Sequence, residues 1–437
     1  MAPGEPIVKD SPFFAALDCF VQKAEFRAVN EASLARIMEI GGLPGRKHEM
    51  FTFVRIRPHI DTPFQPKFGV DSLSCNTVRR LVYHGCEKSF LVIGDGVFYP
   101  GLSDISAVRE ELTVRPLIDA MTEVGQRLRD AAAATNDITA AMNGAFCSGG
   151  LAIGVKAGTK LSAPLQIIVY STSANERLNA TFPAVTLDLG EGAKAVVIVK
   201  TAGEAGAYLS NALFDLRLGV AATLDWAFIQ SDDAAAIHLA NIRMTAQKYA
   251  RFSGVTACKG SRMTRQHHEC RLQGEGAELS LSGVTILEKK EEAHHYVRVH
   301  HEAPRCQSRQ HFKNILSDNG HSSVDSCVTV HPDAQLTDSN QLVNNLMLSP
   351  DATADNKPWL SIYADDVKCT HGATIGKIDE DQIFYLKSRG IPEERARALL
   401  TTSFAQSVIA AIPQVDAALD ARDMLIGKLE AKGFGVN

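Results

Sequence analysis

The chain has 437 residues, a net charge of −5 at pH 7, and 45% hydrophobic against 22% charged residues. This composition is typical of a globular protein and argues against disorder, while the length favours two or three structural units over one core. A nucleic-acid partner is disfavoured, because phosphate binding needs clustered basic surface that a mildly acidic chain lacks.

Nine cysteines are scattered along the chain from Cys19 to Cys369. An odd number without regular spacing does not indicate a disulfide framework, so a reducing compartment fits better. The first residues show neither a signal-peptide nor a transit-peptide pattern, and no apolar run approaches the roughly 18 residues that a membrane span needs. We therefore expect a cytoplasmic protein without a membrane anchor.

Residues 1–145 are predicted to form a largely helical N-terminal region with a few short strands. Apolar residues recur at helical spacing over residues 10–45 and 106–135. Short strands are predicted at residues 80–83 and 90–93, after a proline-containing extended segment.

Local signals predict the bounds of one of these helices. Asn30 begins a short polar stretch, Asn-Glu-Ala-Ser, that is typical of a helix start, and Gly41-Gly42 is typical of a helix end. The helix is therefore expected to run between Asn30 and Gly41.

Residues 146–378 are predicted to form a β-solenoid. Short β-branched runs replace helical patterns here, and a Leu/Gly motif recurs at Gly190, Gly219 and Gly274. The spacings are 29 and 55 residues, so the second is close to twice the first. A strand-and-turn period of this length favours stacked rungs, each of which buries its apolar side against the next. A large β-sandwich or barrel remains the alternative.

Residues 379–437 are predicted to form a C-terminal helical domain. A first helix ends near Gly390, a second follows Pro392 and is broken at Pro413, and a third runs from about residue 415 to 431. Their leftover apolar surface is expected to cap the solenoid or to dock a partner.

Several common catalytic and ligand-binding motifs are absent. The sequence has no phosphate-binding Gly-x-x-x-x-Gly-Lys-Ser/Thr loop, no Cys-x-x-Cys, no Gly-x-Ser-x-Gly and no His-Glu-x-x-His. The chain is therefore expected to have no ATP site of its own, and any ATP hydrolysis would come from a partner.

Histidines cluster strongly: nine of the 14 lie between His267 and His331, including three adjacent pairs. The pairs are His267-His268, His294-His295 and His300-His301. Neighbours in a strand point to opposite faces, so one pair cannot offer both imidazoles to one ion without a bulge. We expect one histidine of each pair to line the solenoid interior and the other to be solvated.

Cys369 and His371 form a different pattern, because residues two apart in a strand share a face and both are ligands suited to iron or zinc. Two ligands do not complete a metal site, so further ligands would come from elsewhere in the chain or from a second protein. Asp365 and Asp366 lie nearby but are better interpreted as a solvated turn. The alternative is that Cys369 is buried in the last rung and His371 is an ordinary surface residue.

Five segments resemble the SufB/SufD family of the SUF iron–sulfur cluster assembly system, and specifically its D-type members. They are Gly42–Glu49, Cys306–Gln310, Asn344–Ser349, Ile362–Gly376 and Gln382–Ile391. The resemblance extends over nearly the whole chain. It implies a right-handed parallel β-helix between a mixed N-terminal region and C-terminal helices.

The family resemblance also implies partners and a site. D-type members pair with a SufB-like subunit through their β-helices, and their C-terminal helices hold a SufC-like ATPase. His371 matches the family histidine at the SufB interface, and Cys369 matches a neighbouring cysteine whose role is less certain. The chain lacks a cysteine between Cys327 and Cys369 where B-type members carry one, which favours the D type and a half-site for a transient cluster or iron.

The leading hypothesis is thus a non-enzymatic scaffold subunit that contributes His371 and Cys369 to an intersubunit cluster-assembly site. One alternative is a purely structural subunit that braces its SufB-like and SufC-like partners without touching metal. Another is a β-helical carbohydrate-active enzyme, which the cysteine content typical of a reducing compartment and the lack of a signal-peptide pattern disfavour. The isolated chain could also form a homodimer.

Overall fold

A computed structural model describes residues 12–44, 48–70, 73–174 and 177–431. Within these residues the protein is a parallel β-solenoid of about seven turns, with helical regions before and after it. The solenoid prediction is confirmed, and the sandwich or barrel alternative is wrong. The ends of the predicted terminal regions and the middle of the Gly42–Glu49 segment lie outside the described residues.

The helices of the described chain fall into an N-terminal and a C-terminal group. They are α1 (Pro12–Asp18), α2 (Arg27–Glu39), α3 (Arg57–Ile60), α4 (Cys75–Leu81), α5 (Leu117–Ala134), α6 (Ile138–Phe146), α7 (Glu380–Ser388), α8 (Glu393–Ile409) and α9 (Val415–Ala431). Among the residues that the structure describes, no helix is long and apolar enough to cross a membrane.

The strands before the regular solenoid are short. They are β1 (Phe64–Pro66), β2 (Phe90–Gly94), β3 (Val97–Phe98), β4 (Leu112–Pro116), β5 (Gly150–Val155), β6 (Leu165–Ser171), β7 (Leu178–Thr181) and β8 (Ala184–Leu189). The strands of the regular solenoid are longer. They are β9 (Lys194–Gly203), β10 (Tyr208–Leu218), β11 (Thr223–Gln230), β12 (Ile237–Ala246), β13 (Arg251–Cys258), β14 (Met263–Leu272), β15 (Glu278–Leu287), β16 (Glu292–His301), β17 (Gln307–Leu316), β18 (His321–Val330), β19 (Thr337–Met347), β20 (Thr353–Ile362) and β21 (Val367–Gly376).

Consecutive strands of the solenoid alternate between two sheets. The first sheet has the order β20-β18-β16-β14-β12-β10-β8-β5-β4, and the second has β21-β19-β17-β15-β13-β11-β9-β6-β2-β3. The strands from β8 to β21 pair in parallel within each sheet. Each rung therefore adds one strand to each sheet.

The Leu/Gly repeat marks equivalent positions of successive rungs. Leu189 pairs with Leu218, Leu218 with Ala246, and Ala246 with Leu272. The 55-residue spacing thus spans two rungs, and the intervening rung carries Ala246 where its neighbours carry leucine. The length of a rung and the stacking of apolar residues between rungs could both be predicted from the sequence.

The glycines of this repeat are required by the close approach of neighbouring rungs. A Cβ atom on Gly274 would lie 1.9 Å from the backbone nitrogen of Lys248, and one on Gly190 would lie 2.6 Å from the nitrogen of Ala157. Only glycine allows two backbones to approach this closely. Glycine therefore recurs in the repeat because any larger residue would clash with the backbone of the neighbouring rung.

The N-terminal helices cover the outer face of the first sheet. Ile37 of α2 and Phe146 of α6 are buried in one cluster with Leu209, Ile237 and Leu239 of the sheet. Burial of this apolar area favours attachment of the N-terminal region along the solenoid side, because the hydrophobic effect scales with the area removed from water.

The C-terminal helices cover the outer face of the second sheet. Val408 of α8 and Leu425 of α9 are buried in one cluster with Ile198, Ile229 and Ile315 of that sheet. These helices therefore fold back along the side of the solenoid, and their apolar surface is used mainly there. The expectation that they cap its end is wrong for these two helices.

Two charged contacts anchor α9 to the solenoid. Lys428 forms a buried ion pair with Glu291, and Asp420 binds both Lys200 at 2.7 Å and the Tyr83 hydroxyl at 2.6 Å. A buried ion pair fixes one geometry, because breaking it would leave an uncompensated charge. Helix α9 is thus held in one register on the second sheet.

The structure corrects two local predictions. Helix α2 begins at Arg27, before Asn30, and the buried Asn30 amide instead donates to the carbonyls of Gly144 and Cys147 at 2.8 and 3.0 Å. The predicted strand at residues 80–83 is also wrong, because its first two residues end helix α4. In both cases long-range packing overrode a local signal.

Candidate functional site

The last rung of the solenoid is open in the described part of the chain. Strands β20 and β21 terminate the first and second sheets, so each pairs with a neighbouring strand on one side only. Most of their side chains are exposed or half-buried, whereas earlier strands are mainly buried. Two parallel edge strands side by side form a template on which another chain can pair.

Cys369 and His371 lie together on this open rung. Cys369 pairs with Ser339 of β19, and His371 pairs with Gln341. Ser339 and Gln341 are fully buried in the solenoid interior, so Cys369 and His371 continue the inward-facing row of the second sheet. The two side chains project from the same face of one strand, as the two-residue spacing predicted.

The two side chains differ in exposure and chemistry. His371 is exposed, whereas Cys369 is half-buried and packs against the apolar interior. Burial raises the pKa of the Cys369 thiol, and the charge of Asp338 raises it further. In the isolated chain this cysteine is therefore mainly a neutral thiol, which is a poor ligand until a metal or partner displaces its proton.

No third ligand joins Cys369 and His371 within the residues described. Neither residue belongs to a set of three or more His, Cys, Asp or Glu side chains whose ligand atoms lie within 4.8 Å of one another. Asp365 and Asp366 are exposed in the turn between β20 and β21, as predicted, and the Asp366 N–H donates to the Gln335 side chain at 3.0 Å. The chain thus supplies two donors at an unfinished edge.

The histidine pairs alternate between faces, as predicted, but the prediction that one of each pair is solvated is wrong for two pairs. His267 and His294 point outward and are nevertheless buried, because the N-terminal region covers that face. His267 Nδ1 lies 2.9 Å from Asp137, at the start of α6. Although burial opposes the charged form, this carboxylate raises the pKa of His267, so the pair helps to hold the N-terminal helices on the sheet.

A second cluster of ligand-type residues was missed by the sequence analysis. Glu292, His294 and His321 each place one ligand atom within 4.8 Å of the others. Burial lowers the pKa of His294 to about 4, so its imidazole is neutral at pH 7. The available signal was spacing: Glu292 and His294 are two residues apart in a strand, and His321 follows Glu292 by 29 residues, which is one rung.

Exposed aromatic residues mark the beginning of the C-terminal helices. Phe384 and Tyr385 of α7 are 73% and 57% exposed, and Leu399 of α8 is 44% exposed. Tyr385 also lines a shallow groove between α7 and α8, together with Leu386 and Leu400. Large exposed aromatic side chains of this kind are typical of interaction surfaces.

Comparisons with known proteins agree on one family. The family description "SUF system FeS cluster assembly, SufBD core domain" matches residues 170–404. The chain is 29% identical over 374 residues to the iron–sulfur cluster assembly protein SufD of Escherichia coli, covering 85% of this chain and 86% of the relative.

Similar proteins also occur in photosynthetic organisms. A chloroplastic protein of Arabidopsis thaliana, ABCI7, is 30% identical over 68% of this chain and 64% of its own length. A SufBD family iron–sulfur cluster assembly protein of Synechocystis is 26% identical over 79% of each chain. The segment that matches the SufBD core description, residues 170–404, runs from the end of β6 through most of α8. It therefore includes the open rung.

The raised pKa of Cys369 predicts slow alkylation near neutral pH. The midpoint of its rate-against-pH curve should lie at higher pH in the folded chain than in urea, where it should fall near the ordinary cysteine pKa of about 8.5, because only the thiolate reacts. Replacing Asp338 with Asn should shift the folded curve to lower pH. Peptide mass spectrometry after timed alkylation measures both curves, and coincident folded and unfolded curves would contradict the inferred environment.

Proposed function

The chain belongs to the SufBD family of the SUF iron–sulfur cluster assembly system, and from that membership we propose that it is a D-type scaffold subunit without catalytic activity of its own. It would act in a complex with a SufB-like subunit and a SufC-like ATPase. In this proposal the nascent cluster, or the iron that begins it, is cargo held briefly between two subunits.

The observation that carries the proposal is the position of His371 on an open rung. A homologous β-solenoid paired against β20 and β21 would extend both sheets and cover the inward row that contains His371 and Cys369. Main-chain pairing of edge strands supplies affinity without a large apolar patch. The partner would then complete the ligand set that two residues leave unfinished.

His371 and Cys369 would have different roles in such a site. The exposed imidazole of His371 is directly available to a metal ion arriving between the subunits. The Cys369 thiol is protonated and packed against the interior, so it would ligate only after losing its proton to a nearby base or on metal binding. His371 is therefore the primary ligand in the proposal and Cys369 the conditional one.

The ATPase would dock on the exposed aromatic surface of α7 and α8. Movement imposed there has a direct route to the solenoid, because α8 and α9 share a buried cluster with the second sheet and α9 is anchored by Lys428 and Asp420. Strand β21 belongs to the same sheet and leads directly into α7. ATP-driven movement could thus reach the strand that carries His371.

We propose a cytoplasmic location, in line with the free cysteines of the described chain. The E. coli relative is named as an iron–sulfur cluster assembly protein, and the Arabidopsis relative is named as chloroplastic. Both names are compatible with a compartment in which thiols stay reduced. The isolated chain would be able to pair with a second copy through the same open rung.

Replacing His371 with Ala should leave the three-subunit complex intact and lower the yield of cluster assembled on it at least about 10-fold, because one ligand of the half-site is lost. The matched control is Lys368→Ala, on the same strand and the opposite face. Co-purification measures the complex, and iron and sulfide content with visible absorption measure the cluster. Normal cluster yield on an intact His371→Ala complex would support the purely structural role instead.

Replacing both Phe384 and Tyr385 with Ser should weaken binding of the SufC-like ATPase at least about 10-fold, since buried aromatic anchors commonly contribute about 2 kcal/mol or more. Point variants are preferable to removal of α8 and α9, which would expose the cluster around Ile198. Val415→Ser, at a position 74% exposed at the start of α9, is the control. Unchanged affinity, measured by calorimetry, would place the docking surface elsewhere.

A further inference from the structure

A cluster of ligand-type side chains lies on the outer face of the first sheet, away from the open rung. Glu292 and His294 project outward from β16, and His321 projects outward from β18 directly beside Glu292. One carboxylate oxygen and one nitrogen of each imidazole lie within 4.8 Å of one another. Three convergent atoms at this separation are close enough to contact one ion after small side-chain adjustments.

Neighbouring groups orient both imidazole rings. His294 Nδ1 lies 2.8 Å from the Ser323 hydroxyl, which leaves Nε2 directed at Glu292 Oε2, 3.2 Å away. His321 Nε2 lies 2.8 Å from the carboxylate of Asp355. Metal-binding histidines are typically held in this manner by a hydrogen bond to the second ring nitrogen or by a nearby carboxylate.

We propose that Glu292, His294 and His321 bind one divalent transition-metal ion. Two imidazoles and one carboxylate suit Zn²⁺ or Fe²⁺, whereas Mg²⁺ and Ca²⁺ prefer all-oxygen sites. The ion would join the two adjacent rungs that carry β16 and β18. Its role is to hold these rungs together on the outer face of the first sheet.

This site is separate from the proposed half-site on the open rung. Its ligands face outward from the first sheet, whereas His371 and Cys369 face inward from the second. Its ligands also come from one chain, so an isolated subunit is sufficient for binding. The inference therefore holds or fails independently of the proposed scaffold function.

Co²⁺ titration of the chelator-treated full-length chain tests the site, because Co²⁺ bound by nitrogen and oxygen ligands gives visible absorption. We expect one Co²⁺ per chain, displaced by Zn²⁺, and an affinity at least about 10-fold weaker in Glu292→Gln and in His321→Gln. His331→Gln, just after β18, is the matched control that should bind as the original chain does, and His371→Ala reports whether any Co²⁺ is bound at the open rung instead. Zn²⁺ should raise the thermal midpoint of the original chain and of His331→Gln, but not of the two ligand variants.

The half-buried positions of Glu292 and His321 make folded variants the expected result, and circular dichroism checks this. If either variant misfolds, Asp355→Asn replaces it and should weaken Co²⁺ binding about 10-fold. Absence of Co²⁺ binding by the original chain would overturn the proposal. Unweakened binding in folded ligand variants, or binding lost only in His371→Ala, would overturn it as well.

Discussion

The structure depends on the stacking of rungs, because each rung pairs its backbone with the rungs immediately before and after it. Each strand from β8 to β19 pairs with a neighbouring strand on both sides, and its apolar inward side chains pack in one continuous core with those of the adjacent rungs. The same rule makes the last rung incomplete, because β20 and β21 have a neighbour on one side only. The unpaired backbone groups of such a rung favour aggregation of an isolated chain, whereas in a complex they can pair with a partner chain.

The helices do not cover this open end of the solenoid. Both helical groups lie along the sides of the solenoid, where apolar clusters and buried ion pairs hold them. Their placement leaves the edge of β21 free while keeping α7 in direct continuity with it. Helices α8 and α9 and the free edge of β21 are thus connected through one sheet.

Much of the fold could be predicted from the sequence, because stacking imposes a repeat. The glycines at 190, 219 and 274 and the leucines beside them identified the rung length, and the two-residue spacing of Cys369 and His371 identified a shared face. Features that depend on contacts between distant segments were missed. Asn30 was interpreted as a helix start although it donates to Gly144 and Cys147, and the burial of His294 required knowledge that the N-terminal region covers that face. Predicting that Glu292 lies beside His321 would have required both the length of a rung and the register of the paired strands.

Hydrogen–deuterium exchange of the dilute chain, with and without a SufB-like subunit, tests the central claim most directly. Because the unpaired backbone groups of β20 and β21 would gain partners, amides in these two strands should exchange at least about 10-fold more slowly in the complex. Strand β12, already paired on both sides, should be unaffected. Formation of the complex without added protection in β20 and β21 would contradict the account, since the partner would then be bound elsewhere.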